Sequence, residues 1–104
     1  MINENMKKVL VALRSGELKQ TSGSLQDRIG HCCLGVMCEV YEKETGYKLP
    51  RIASKLIGGF LNAKVKSWAG LENTDRLVFM NDDEGKTFLE IADFIETDPE
   101  GLLV

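Results

Sequence analysis

The sequence predicts an α+β fold: a small single domain over residues 1–104, with helices packed around a central apolar helix and a short β-hairpin. Three observations support this class. Apolar residues recur with helical spacing in two long stretches, a capping box precedes a third stretch near the C-terminus, and a polar segment rich in turn-forming residues separates the first two.

The first apolar stripe has the i, i+3, i+4, i+7 spacing of one helix face and consists of Met6, Val9, Leu10 and Leu13. It predicts a helix over about residues 4–15. Asn3 or Asn5 is suited to cap the start of this helix, and Gly16 to adopt the left-handed conformation that ends it.

The second stripe repeats the same spacing and consists of Leu34, Met37, Cys38 and Tyr41. It predicts a helix over about residues 32–45 that stops before Gly46 and Pro50. Val36 and Val40 widen the apolar face, so we expect this helix to be the central helix of the core.

Shorter elements are predicted between and after these helices. Polar residues around a Thr-Ser-Gly-Ser turn predict a β-hairpin within residues 17–29. Ile52, Leu56 and Ile57 indicate a short helix broken by Gly58-Gly59.

Three further elements follow toward the C-terminus. Val65, Trp68 and Leu71 indicate another short helix, closed by Gly70, and the apolar run 77–80 fits either a strand or a helical turn. Thr87 with Glu90 forms a capping box that predicts the last helix.

Charge is distributed unevenly along the chain. Residues 1–71 carry eleven Lys and Arg against six Asp and Glu, whereas residues 72–104 carry two against ten, so the balances are +5 and −8. This polarity can steer an anion to one face or pair two copies of the chain, or the two parts can neutralise each other within the fold.

The sequence predicts a protein of the cytoplasm. No run approaches the ~20 apolar residues that cross a bilayer, and residues 1–8 contain no apolar signal-peptide core. Three clustered cysteines, Cys32, Cys33 and Cys38, indicate reduced thiols rather than a disulfide framework.

Several catalytic and metal sites are disfavoured by spacing. His31 and the cysteines lack the paired ligands of a zinc site, and no base is placed to activate a thiol. Gly85-Lys86-Thr87 lacks the first glycine of a P-loop, and the acidic turn before it lacks the end ligands of a calcium loop. The acidic last helix would repel DNA. We therefore expect no enzyme, metal, cofactor, DNA partner or membrane partner.

The polar segment after the first helix is the candidate binding site. It combines cations and hydrogen-bonding groups with flexible glycines, which suits an anionic ligand, although a solvated loop has the same composition. Trp68 offers a ring for stacking on a base, or for core packing. The candidate residues are Arg14, Lys19, Gln20, Thr21, Ser22, Arg28, His31, Trp68 and Asn81.

Several segments carry a family resemblance, among them 12–20, 32–38, 68–71, 80–82 and 88–96. In these the chain resembles a family of small phage and prophage proteins, which we associate with anti-defence sponges that sequester nucleotide signals of CBASS or Thoeris immunity. Leu18 stands where that family is expected to carry an aromatic residue, which would alter ligand preference.

The resemblance implies a non-catalytic protein in the cytoplasm of an infected bacterial host. It implies a homo-oligomer that binds a cyclic nucleotide or an ADP-ribose-derived second messenger without cleaving it. In the binding hypothesis drawn from the residues, Lys19, Arg14 and Arg28 would contact phosphates. The hydrogen bonds to base edges or ribose would come from Gln20, Thr21, Ser22 and Asn81, and His31 or Trp68 would stack. The alternative is a protein-interaction module that inhibits a host protein through its acidic C-terminal half.

Overall fold

The computed structural model describes residues 1–57 and 61–104. Five α-helices and one two-stranded antiparallel sheet form the predicted α+β fold. The elements along the chain are α1 Glu4–Ser15, α2 Cys33–Thr45, β1 Arg51–Ile52, β2 Lys55–Leu56, α3 Ala63–Ala69, α4 Asp75–Asp82 and α5 Phe88–Glu96.

Helix α2 is the centre of the core, as predicted. Its first six residues, Cys33 to Cys38, are all buried, and the helix packs against α1, α3 and α4. Burial of almost every side of the first half explains why this segment lacks a polar face. The helix ends at Gly46, which adopts the left-handed conformation with φ of 79°.

Helix α1 is confirmed within its predicted bounds, and its four stripe residues are all buried. Asn3 is its cap, because the Asn3 Oδ1 accepts a hydrogen bond of 2.7 Å from the Met6 amide. Asn5 instead donates to the Trp68 carbonyl oxygen, which ties the start of α1 to α3. Gly16 has φ of 77° and ends the helix.

The C-terminal helices also follow the sequence. The Thr87 hydroxyl accepts from the Glu90 amide, and the Glu90 carboxylate accepts from the Thr87 amide, so the predicted capping box begins α5. Gly70 closes α3. The apolar run 77–80 is helical and lies within α4, where Leu77 and Met80 are buried.

The predicted hairpin at residues 17–29 is wrong in position. This segment turns back on itself through isolated bridges, in which Gln20 pairs in parallel and Gln26 antiparallel with His31. The hairpin lies later, where Arg51 pairs with Leu56 and Ile52 with Lys55.

The short helix predicted from Ile52 to Ile57 is therefore also wrong, and its proposed break at Gly58-Gly59 lies outside the described residues. Ala53 and Ser54 form the two-residue turn of the hairpin, with φ of 51° and 67°. Positive φ at both positions is the geometry of a tight hairpin turn. None of the helices within the described ranges has the length and apolar character to cross a membrane.

Gly35 of α2 packs directly against the segment before this helix. A Cβ atom at this position would lie 1.9 Å from the Leu25 carbonyl oxygen and 3.3 Å from the His31 Cβ. We expect Gly35→Ala to lower the free energy of unfolding by about 1–3 kcal/mol, although alanine favours a helix by about 1 kcal/mol over glycine.

Urea denaturation measures this change. Lys64→Ala, at an exposed position of α3, is the control and should change the free energy of unfolding by less than about 0.5 kcal/mol. A Gly35→Ala variant as stable as the unsubstituted protein would contradict the close approach of Leu25.

Candidate ligand-binding surface

The segment from residue 17 to 32 forms a folded-back loop held by its own backbone. The His31 amide donates to the Lys19 carbonyl oxygen and the Thr21 amide donates to the His31 carbonyl oxygen, each at 2.8 Å. Gly30 lies against Lys19 so closely that a Cβ atom would be 2.1 Å from the Lys19 carbonyl oxygen. Lys19 and the turn around residues 27–30 are therefore neighbours on a fixed frame.

Two carboxamides, of Gln20 and Asn81, lock this loop to the helices. The Gln20 Nε2 donates to the Asn81 Oδ1 at 2.8 Å and to the Lys86 carbonyl oxygen at 2.7 Å, and the Gln20 Oε1 accepts from the Phe88 amide. The Asn81 Oδ1 also accepts from the Cys33 amide, and its Nδ2 donates to the Thr21 carbonyl oxygen. Both side chains are thus engaged within the fold.

Gln20 and Asn81 were predicted to bind a ligand, and the structure brings them together, but their hydrogen bonds go to protein groups. The positions of Gln20 and Asn81 beside two helix starts explain why they bond to protein groups. The Cys33 and Phe88 amides are the first of α2 and α5, and such amides have no partner within their own helix. Asn81 is 4% exposed, so it also has little access to solvent.

Lys19 and Arg28 of the loop are exposed, and Lys55 of β2 is partly exposed near Asp27; we name these three residues the cationic surface. Arg28 follows Asp27 in the chain, and Lys55 is near enough to contribute to lowering the Asp27 pKa. Lys55 is held there because the Gln26 Oε1 accepts from the neighbouring Leu56 amide at 2.8 Å. Within residues 1–57 and 61–104, these three cations form no ion pair.

Asp27 itself is committed to the loop. Its carboxylate accepts hydrogen bonds from the Thr21 hydroxyl and from the Gly30 and Ile29 amides, which hold the pKa of Asp27 below its ordinary value. Thr21, another predicted ligand residue, thus donates its hydroxyl proton within the protein. Ser22 is exposed beside it. The Asp27 carboxylate therefore has its oxygens occupied by local donors.

Arg14 does not join this surface. Its guanidinium donates to the carboxylates of Asp93 and Glu96 on α5, and these hydrogen bonds raise the Arg14 pKa. The N-terminal ammonium likewise pairs with Asp98. Basic and acidic parts of the chain therefore partly neutralise each other across the α1–α5 contact.

Trp68 is also distant from the loop. Its ring packs edge-on against Tyr41 of α2, with centroids 5.6 Å apart. Its carbonyl oxygen accepts from Asn3 and Asn5 at the start of α1. The loop begins at the other end of α1, about 15 Å away along the helix axis. Trp68 therefore serves packing rather than stacking at this surface.

His31 is buried, with 7% of its surface exposed. Its Nε2 lies 3.4 Å from the Glu39 Oε1, which is within ion-pair range, but neither ring nitrogen has a hydrogen bond of good geometry among the described residues. Its backbone rather than its ring holds the loop.

The three cysteine side chains are free thiols buried in the core. Burial raises the pKa of Cys32 and of Cys33, and it raises the pKa of Cys38 to about 12. Thiols of this kind are weak nucleophiles, because the reactive form is the thiolate. In the part of the chain that the structure describes, no three His, Cys, Asp or Glu side chains are grouped as metal ligands would be.

An ion-pair network joins α2 to the hairpin and was not anticipated from the sequence. The Arg51 guanidinium donates to both oxygens of Glu42 and to Glu39, while the Leu49 amide also donates to Glu42. Burial opposes ionisation of Glu42, but these donors outweigh it and hold the pKa of Glu42 below its ordinary value. The network fixes the start of the hairpin that carries Lys55.

The first 81 residues match the model of a protein family described as a domain of unknown function, DUF8296. The chain belongs to this family. The match includes the folded-back loop, the cationic surface and both carboxamides. No curated protein and no solved structure matches the chain.

The contact between the two carboxamides predicts energetic coupling in this DUF8296 chain. Gln20→Ala and Asn81→Ala should each destabilise the fold by about 1–3 kcal/mol, because each leaves buried donors or acceptors without partners. The double variant should lose less than the sum of both, by about 0.5 kcal/mol or more. Urea denaturation of all four proteins gives the coupling, and strict additivity would contradict it.

The Glu42–Arg51 pair predicts a pH-dependent stability. Arg51→Ala should lower the free energy of unfolding by about 3 kcal/mol at neutral pH, because it leaves a buried carboxylate unpaired. The Glu42 pKa is lowered by folding, so the pair stabilises the protein above the unfolded-state pKa of about 4.3 and loses this effect as pH falls through the folded-state value.

Denaturation curves from neutral pH down to about 3 measure this effect. The gap between Arg51→Ala and the unsubstituted protein should shrink on acidification, whereas Lys64→Ala, an exposed control, should follow the unsubstituted protein throughout. A gap that stays constant with pH would be inconsistent with an ionised Glu42.

Proposed function

We propose that this chain binds a phosphate-bearing nucleotide signal on its cationic surface and sequesters it without cleavage. The observation that carries the proposal is that Lys19 and Arg28 of the loop and Lys55 of the hairpin form no ion pair within residues 1–57 and 61–104. The oxygens of Asp27, near Lys55, are occupied by local donors. Lysine and arginine side chains that form no ion pair and stand on a fixed backbone are suited to bind phosphate oxygens. Binding then costs less conformational entropy, because the backbone is already ordered.

The proposed roles follow from position. Lys19 and Arg28, both predicted from the sequence, would contact phosphates, and Lys55 is added to them. The exposed Ser22 hydroxyl is available to a ribose or base edge. Gln20, Thr21 and Asn81 would support the site by holding the loop, since their polar atoms are already bonded within the protein.

Sequestration rather than turnover is favoured by the chemistry of the neighbouring groups. The nearby thiols are buried and have raised pKa values, and Asp27 is a carboxylate with a lowered pKa, which makes it a weak base. The likeness to phage and prophage sponges supports the same interpretation, with a cyclic nucleotide or an ADP-ribose derivative as the ligand of an immune pathway.

The acidic C-terminal half supports a second proposal, inhibition of a host protein. Asp75 and Phe79 are exposed four residues apart on α4, and the exposed Asp83 follows the end of this helix in a helical conformation, so the three lie on one face. The Arg76 guanidinium lies 5.7 Å from the Phe79 ring centre and 5.6 Å from that of Phe94. An apolar ring between two carboxylates fits a basic, partly apolar segment of another protein.

A panel of cyclic dinucleotides, cyclic trinucleotides and cyclic ADP-ribose derivatives tests the first proposal by thermal shift. A ligand present at about 100 times its Kd would add about 2.7 kcal/mol to the free energy of unfolding and raise Tm by roughly 10 °C or more. The bound ligand, released by heating and identified by mass spectrometry, should be chemically intact.

Charge reversal locates the site. Lys19→Glu and Arg28→Glu should each weaken ligand binding by about tenfold or more, whereas Lys64→Glu, the same change at an exposed position of α3, should not. No shift with any nucleotide would leave the host-protein proposal, and recovery of a cleaved ligand would indicate an enzyme. Unchanged binding by both loop variants would remove the cationic surface from the site.

A further inference from the structure

The exposed side of the α1–α2 pair contains a groove that the proposed nucleotide site does not use. The groove has a volume of about 440 Å³. Its floor is apolar and consists of the partly buried side chains of Ala12, Leu18 and Val40. Val11 stands beside this floor on α1 with 70% of its surface exposed. An apolar projection and an apolar hollow therefore lie side by side on one face.

The two helices run antiparallel along this groove. Lys8, in the first half of α1, forms an ion pair with Glu44, near the end of α2. Ser15, at the other end of α1, lines the groove together with Glu39 from the middle of α2. Lys8 and Ser15 are about 10 Å apart along the axis, which is the approximate length of the groove.

The two ends of the groove differ in charge. Most of its charged side chains are paired, since Lys8 binds Glu44 and Glu39 binds Arg51. Two lining residues, Lys43 and Glu17, form no ion pair within residues 1–57 and 61–104. Lys43 lies one position before Glu44, at the first end, and Glu17 follows the C-terminus of α1, at the other end. The groove thus carries a free cation at one end and a free anion at the other.

We propose that the α1–α2 groove is a self-association surface at which two copies of this chain meet about a two-fold axis. A two-fold operation reverses the direction of the groove, so Lys43 of each copy faces Glu17 of the other. It also brings each Val11 toward the apolar hollow of the opposite copy. One patch supplies both the projection and the hollow, which is the requirement for an isologous interface.

A second copy fits this surface better than an anionic ligand does, because the unpaired charges of the groove sum to zero. Burial of the exposed Val11 would supply the apolar contact, and the pairing of both free charges would fix the orientation. The residues that line the groove include none of Lys19, Arg28 and Lys55, so the proposed dimer is compatible with ligand binding on the cationic surface.

Sedimentation of the unsubstituted chain over a concentration series, together with Val11→Glu, tests the interface. The unsubstituted chain should form a dimer, and Val11→Glu should remain a monomer with an unchanged circular dichroism spectrum. Leu89→Glu is the matched control, because Leu89 is an aliphatic residue on α5 with 57% of its surface exposed. A monomeric unsubstituted chain, or an equal effect of both variants, would overturn the proposal.

Exchanging the charges of Lys43 and Glu17 tests the orientation of the two copies in the dimer, and it does so with more than one variant. Lys43→Glu and Glu17→Lys should each weaken the dimer by about tenfold or more, since each places like charges opposite one another twice. The double variant exchanges the two charges, so its dimer should regain most of the lost affinity. A double variant weaker than either single variant would overturn the antiparallel arrangement.

Discussion

The fold depends on two carboxamides that complete the hydrogen bonding of backbone groups far away in the sequence. A helix leaves its first amides without internal partners, and Cys32, before α2, supplies no side-chain cap. Asn81 accepts from the first amide of α2, and Gln20 accepts from that of α5 while donating to the Lys86 carbonyl oxygen. The folded-back loop, which has few β-sheet hydrogen bonds of its own, is thereby held between two helices.

The parts of the fold governed by local rules could be predicted from the sequence. The stripes of α1, α2 and α5, the Thr87 capping box and the glycine ends of α1 and α3 each depend on residues within a few positions of one another. The hairpin was misplaced because its turn, Ala53-Ser54, lacks the Asn-Gly or Asp-Gly pair that favours positive φ.

The residues of the candidate site also divide into those that the local sequence predicts and those whose partners are distant in the sequence. Lys19 and Arg28 remain at the surface, as a composition-based prediction expects of lysine and arginine. Gln20 and Arg14 instead bond to groups more than 60 positions away, and Asn81 to groups 48 to 61 positions away; no local spacing indicates such partners. Lys55 was missed because its position depends on the hairpin and on the Gln26 contact with Leu56. Polar residue type alone did not separate groups that hold the fold from groups that face solvent.

Burial of all three thiols has a consequence for the behaviour of the protein in air. Disulfide formation between chains begins with an accessible thiolate, and here both accessibility and ionisation are suppressed by the surrounding core. Oxidative cross-links would therefore arise only in molecules whose central helix has separated from its neighbours. Covalent aggregates in an aged sample of this protein would be a record of earlier unfolding.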